Sequence, residues 1–147
     1  MPRAITAEDI HAYREHGLVC LRGMLDRDWV ERLREAVALV PGGYVDRSFI
    51  WPFNGTFREL VFDSPVGEIA ATLMGSKTCG LQIDNILVKE PHAPHRTPWH
   101  HDQPYYQVQG TQLCGMWIGL DETTLENGGL EWIRGSHKWG EMFEPDS

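Results

Sequence analysis

A change of pattern near residue 79 constrains this chain more than any other feature. Before it, apolar residues recur at helical steps: Val30, Leu33, Val37 and Val40 fall three and four apart, on one helix face. From residue 79 onward, short apolar runs are separated by segments rich in Pro, Gly and Asn, the punctuation of β-strands. The two periods place side chains differently, so the two parts should be different kinds of structure. The reading is a helical part over 1–78 and a β part over 79–147, in the single domain that 147 residues allow.

Local signals divide the helical part. Thr6, followed three residues later by Asp9, reads as a capped helix start, and Gly17 reads as its stop, giving a helix near 7–16. Leu18 to Leu21 is expected as a short strand. Asp26 caps a second helix that Pro41-Gly42-Gly43 ends, and Ser64-Pro65 opens a third that Gly75 closes. Residues 41–57 contain Trp51 and Phe53, so they are expected as a packed loop. In the β part, strands are expected near 79–90, 97–106, 112–120 and 129–134.

Charge and cysteine usage exclude several function classes. Asp and Glu outnumber Lys and Arg by 21 to 13, for a formal net charge of -8; nucleic-acid binding rests on cationic contacts to phosphate, so no nucleic-acid partner is expected. Three widely spaced cysteines with no C-x-x-C pair speak against a zinc or dithiol site and fit a reducing compartment. No apolar stretch approaches the roughly 20 residues of a membrane span, and the N-terminus lacks a signal-peptide pattern. A cytoplasmic location with no membrane partner is the expectation.

The chemistry concentrates in Thr97-Pro98-Trp99-His100-His101-Asp102-Gln103-Pro104-Tyr105-Tyr106. On a strand, residues two apart share a face, so His100 and Asp102 would project together and His101 away. An imidazole and a carboxylate on one face are two-thirds of the 2-His-1-carboxylate triad that holds Fe(II) and leaves positions open for dioxygen and cosubstrate. An isolated His-x-Asp is a weak signal by itself. His92, His95 and His101 form a local histidine cluster that raises a zinc hydrolase, but they lack the helical i, i+4 pairing and accompanying cysteines of such sites.

With its flanks restored, the segment resembles the phytanoyl-CoA dioxygenase family of Fe(II)/2-oxoglutarate-dependent oxygenases. The resemblance is carried in order by His16-Gly17-Leu18-Val19 with Leu21-Arg22-Gly23, by Leu87 to Pro91, by Thr97 to Tyr105, by Met116 to Asp121, and by Glu126-Asn127-Gly128-Gly129-Leu130-Glu131 leading to Arg134-Gly135-Ser136-His137-Lys138-Trp139-Gly140. It implies a mainly β fold with flanking helices, a double-stranded β-helix or cupin-like jelly roll. It implies His100 and Asp102 as iron ligands, and Trp117, Asn85, Thr97 and Arg47 as residues near 2-oxoglutarate. Gln103, Tyr105, Tyr106 and Trp51 are candidates to line the substrate mouth. The cofactors implied are Fe(II), 2-oxoglutarate and O2, acting on a small-molecule substrate that the sequence does not identify.

In the family, the third iron ligand and the cationic anchor for 2-oxoglutarate come from a strand later than any read here, and His137 matches a loop position. A jelly roll closes with about eight strands and four are read, so the chain is expected to be the N-terminal half of the fold. Exposed sheet edges would then invite self-association or a complementing chain. The alternative is a non-catalytic cupin-like binding module or decayed fragment.

Overall fold

A computed structural model of the chain describes residues 3–40, 46–89, 92 and 97–143, with only the backbone of Asp46 and Arg47. Four helices carry most of its regular structure: α1 (Ala7–His16), α2 (Arg27–Ala38), α3 (Gly55–Asp63) and α4 (Val66–Met74). α1 starts on a capping box, in which the Asp9 N–H donates to Thr6 Oγ1 (3.2 Å) and the Thr6 N–H donates to the Asp9 carboxylate (2.9 Å). Gly17, at φ +78°, ends it in the left-handed conformation that glycine adopts without cost. Asp26 caps α2 by accepting the Trp29 N–H, and Asn54 caps α3 by accepting from Thr56 and Phe57.

The helices pack in pairs, α1 on α4, α2 on α3 and α3 on α4. Leu33 and Ala36 of α2 meet Phe57 of α3, Ile50 and Ile86 in one apolar cluster; Met24, Ile69 and Leu73 form a second, lined by Ile10 and Tyr13 of α1. An Arg32–Glu59 ion pair ties α2 to α3. Two three-residue strands, β1 (Asp46–Ser48) and β2 (Asn85–Leu87), pair antiparallel with Arg47 opposite Ile86. Beyond β1, the Asp84 carboxylate accepts the N–H groups of Ile50 (2.9 Å) and Trp51 (2.8 Å), and the Asp84 carbonyl accepts that of Phe49 (3.0 Å). These three bonds hold Phe49 at φ +61°, a backbone conformation that side chains rarely adopt.

The expected mainly β jelly roll is not the architecture found: the described structure is mostly helical, with β1 and β2 as its only ladder. The reason lies in the backbone. A strand exists when its N–H and C=O groups meet those of a neighbour. From 97 to 143 the described backbone bonds close local turns, such as Tyr105 to Asp102 and Gly129 to Thr124, and the one long-range bond runs to α1. Leu18 to Leu21 fails likewise: Val19 and Leu21 both pack against the second cluster, as alternation demands, but among the described residues no ladder partner lies beside them. The expected loop 41–57 contributes β1 and the start of α3. Among the described residues, no helix is long and apolar enough to cross a membrane.

Candidate metal centre

His100 and Asp102 lie in an irregular segment rather than on a strand. Asp102 has helical backbone angles (φ -69°, ψ -41°) and precedes a 3-10 turn over Gln103–Tyr105, with Pro104 inside it. The Tyr105 and Tyr106 N–H groups close that turn on the carbonyls of Asp102 and Gln103, at 3.0 Å each. The imidazole and the carboxylate meet with Asp102 at the head of that turn and His100 in the irregular segment before it. His100 Nε2 stands 3.2 Å from Asp102 Oδ1.

The other imidazole nitrogen decides what this juxtaposition means. His100 Nδ1 lies 2.9 Å from the Pro98 carbonyl, which can only accept, so Nδ1 carries the hydrogen. With Nδ1 so committed, Nε2 is the nitrogen that faces the carboxylate oxygen, and without a hydrogen of its own it would present a lone pair there. Two acceptors at that distance repel unless a proton or a metal ion stands between them. Donors held at about 2.1 Å on adjacent corners of an octahedral ion are about 3.0 Å apart, close to the spacing found. Fixing the tautomer through a backbone carbonyl is also how metal-binding histidines are oriented. The pair thus fits as two neighbouring ligands of a divalent ion, with Nε2 and Oδ1 as the donors.

The surroundings are only partly closed. The Tyr105 ring meets the His100 ring edge-on at 5.9 Å. Gly115 passes behind the carboxylate, where a Cβ would stand 3.4 Å from Asp102 Oδ2. Its neighbour Cys114 contacts Tyr13 of α1; burial, then the Cys114 thiol, pushes the Tyr13 phenol above its ordinary range, and burial likewise raises Cys114. His101 turns to the rings of Trp139 (6.1 Å) and Phe143 (5.4 Å). Among the described residues, no group of three or more His, Cys, Asp or Glu side chains could hold a metal ion. His137 donates from Nε2 to the Arg14 carbonyl (2.9 Å), and His95 lies outside the described residues.

The other sequence-derived candidates scatter. Trp117 is 46% exposed, its ring edge close to Gly119. Thr97 is exposed at the head of the His100 segment. Asn85 opens β2 opposite Ser48, with its side chain exposed, and Arg47 pairs with Ile86 through the backbone while its side chain lies outside the described residues. The Gln103 amide donates to the carbonyls of Val108 (3.3 Å) and Gly110 (3.1 Å), closing the following loop. Tyr106 is half-buried beyond the turn. Trp51 packs on the first apolar cluster, edge-on to Phe62, with Arg58 above both rings. Sequence reasoning missed Pro98, whose contribution is a backbone carbonyl, and Gly115, whose contribution is the absence of a side chain. Neither has a residue-type signal to read.

Comparison with known proteins adds an independent line. The profile of phytanoyl-CoA dioxygenase (PhyH) matches residues 13–146. The chain is 32% identical over 84 residues to the phytanoyl-CoA dioxygenase domain-containing protein 1 homolog of Caenorhabditis elegans, covering 56% of this chain and 29% of that protein. It is 27% identical over 158 aligned positions to dioxygenase lolE1 of Epichloe uncinata, covering 91% of this chain and 60% of that one. Phytanoyl-CoA dioxygenase of Arabidopsis thaliana is 27% identical over 84 residues, covering 57% of this chain and 29% of its own length. The chain thus spans less than two thirds of the length of these relatives. No solved structure matches it significantly.

Proposed function

The chain belongs to the phytanoyl-CoA dioxygenase family, and from that premise we propose that it takes part in Fe(II)- and 2-oxoglutarate-dependent hydroxylation of a small molecule, with His100 and Asp102 as two of the iron ligands. The observation that carries the proposal is the 3.2 Å approach of His100 Nε2 to Asp102 Oδ1, with Nδ1 committed to the Pro98 carbonyl. When bound, the ferrous ion and 2-oxoglutarate would supply the oxidative decarboxylation, to succinate and carbon dioxide, that is coupled to oxidation of an aliphatic C–H bond by O2.

The chain's own residues supply positioning. The Pro98 carbonyl fixes which imidazole nitrogen is bare, Gly115 leaves room for the second carboxylate oxygen, and the Tyr105 ring packs perpendicular to the imidazole. Trp117, Asn85, Thr97 and Arg47 are proposed to lie toward 2-oxoglutarate, and Gln103, Tyr105, Tyr106 and Trp51 toward the substrate. A cytoplasmic location belongs to the same proposal.

The test is succinate formation from 2-oxoglutarate under air with added Fe(II), by a version spanning the full length of the family relatives, comparing the wild type with His100→Ala. Loss of at least a hundredfold in turnover is expected, and equal turnover in both would end the proposal. A second reading, a non-catalytic binding module, is favoured by one observation: among the described residues only two ligating side chains converge. Metal binding without any 2-oxoglutarate turnover would favour that reading.

A further inference from the structure

Carbonyl groups at a helix C-terminus find no partner inside the helix and must be met from outside. At the end of α1 they are met by a segment far along the chain. The Gly135 N–H donates to the His16 carbonyl (2.8 Å), His137 Nε2–H donates to the Arg14 carbonyl (2.9 Å), and the Lys138 ammonium sits 2.9 Å from a Glu15 carboxylate oxygen. The close approach is open because residue 17 is glycine. A Cβ there would stand 2.3 Å from His137 Nδ1 and 2.8 Å from its Cγ, inside the ring's own volume.

This docked turn leads straight to the candidate metal centre. It ends at Trp139, whose N–H closes on the Ser136 carbonyl (3.1 Å). The Trp139 ring then meets His101, and Phe143 completes a three-ring cluster at 5.4 Å from His101 and 6.4 Å from Trp139. His101 is the residue between the two candidate ligands. A continuous path of contacts therefore runs from the end of α1, through one turn and one indole, to the backbone that carries His100 and Asp102.

Resting on the metal-site reading above, we propose that Gly17 and His137 are positioning residues: their contact latches the 135–139 turn onto α1, seats Trp139 against His101, and so sets the spacing of His100 and Asp102. Breaking the latch should loosen the ligand segment while the apolar clusters of the helical layer stay intact.

The test uses the whole chain, metal-free, and follows the histidine ring signals by nuclear magnetic resonance in the wild type, Gly17→Ala, His137→Ala and His137→Gln. The ring currents of Trp139 and Phe143 should displace the His101 signals in the wild type. Those signals should move toward free-imidazole positions in Gly17→Ala and His137→Ala, and return in His137→Gln, which keeps an N–H donor for the Arg14 carbonyl. In parallel, cobalt(II) affinity should fall about tenfold in the two disruptive variants and recover to within about twofold in His137→Gln, the scale at which outer supports tune metal ligands. His101 signals that stay in place overturn the latch. Signals that move while cobalt(II) affinity holds overturn the positioning role. Wild-type protein that binds no cobalt(II) ends the metal-site reading alone, since the His101 signals judge the latch without metal. Should Gly17→Ala unfold the chain, the two His137 variants carry the decision.

Discussion

Between Met24 and Ile86 lies every buried apolar side chain among the described residues; from Thr97 to Phe143, where the candidate metal centre lies, no described residue is buried. The first region is held by burial, with Leu33 at 2% exposure as its best-covered side chain. The second is held by clamps: Arg34 to Asp121 (3.0 Å), the Gln112 amide to the Met74 carbonyl (3.3 Å), and the turn docked on α1. Trp117, Leu125, Trp132 and Phe143 remain exposed there. The contrast teaches that cooperative stability and candidate chemistry reside in different stretches of this chain, joined by a few polar contacts and by Leu120, which packs on the first apolar cluster. Substitutions in the two stretches should accordingly fail in different ways.

The largest stability effect should come from the helical layer. Leu33→Ala removes a fully buried side chain between α2, α3 and β2, and should cost about 2–5 kcal/mol in urea unfolding. A loss below about 1 kcal/mol would break the comparison, because burial would then not be what holds that layer. Next is Asp84→Ala, which strips the acceptors from the Ile50 and Trp51 N–H groups and should cost about 1–3 kcal/mol by the same measurement. It should also release the Phe49 backbone, visible as faster amide exchange at residues 49–51.

A smaller effect should appear with pH. Asp9 is held below the ordinary carboxylate range by Arg3 and the Thr6 N–H, and Glu15 is held below it by Lys138. A carboxyl lowered in the folded state stabilises that state fully above its unfolded value, near 4. Its contribution fades as pH falls from there through the lowered folded value. The melting temperature should therefore decline below about pH 4, and Glu15→Gln should flatten part of that decline. An identical acid limb in Glu15→Gln would remove the Lys138 clamp from the account.

The smallest stability effect should be at Trp117. Trp117→Ala should change the unfolding free energy by no more than about 0.5 kcal/mol, as exposed substitutions do. Under the proposed function it should instead raise the KM for 2-oxoglutarate. The opposite outcome, a large loss of stability with KM unchanged, would make Trp117 a packing residue.

What could be read from the sequence follows the same division. The limits of α1 were legible because Thr6, Asp9 and Gly17 act on their own neighbours, and α2 was legible from the spacing of Val30, Leu33 and Val37. α3 was missed because its cap, Asn54, follows Trp51, Pro52 and Phe53, residues that read as loop. Ser64-Pro65 marked the start of α4 one residue early: Pro65 is its cap residue, and Ser64 Oγ accepts the Val66 N–H from before it. The strands expected beyond residue 87 could not be judged locally, since a ladder depends on a partner far away in sequence. The approach of His100 to Asp102, expected from strand alternation, is found in a segment that is not a strand. The support of the site by Gly17, His137 and Trp139 links positions more than a hundred residues apart, which no local pattern encodes.

The group that commits the His100 tautomer is a main-chain oxygen, and this bears on how the site tolerates change. Every amino acid supplies the same carbonyl, so no substitution at position 98 deletes it; exchange of Pro98 alters only how firmly the peptide is aimed. Selection on side-chain identity therefore has little purchase on the choice of nitrogen. Under the proposed function, drift at that position should degrade the angular precision of the ligand pair before it degrades metal specificity.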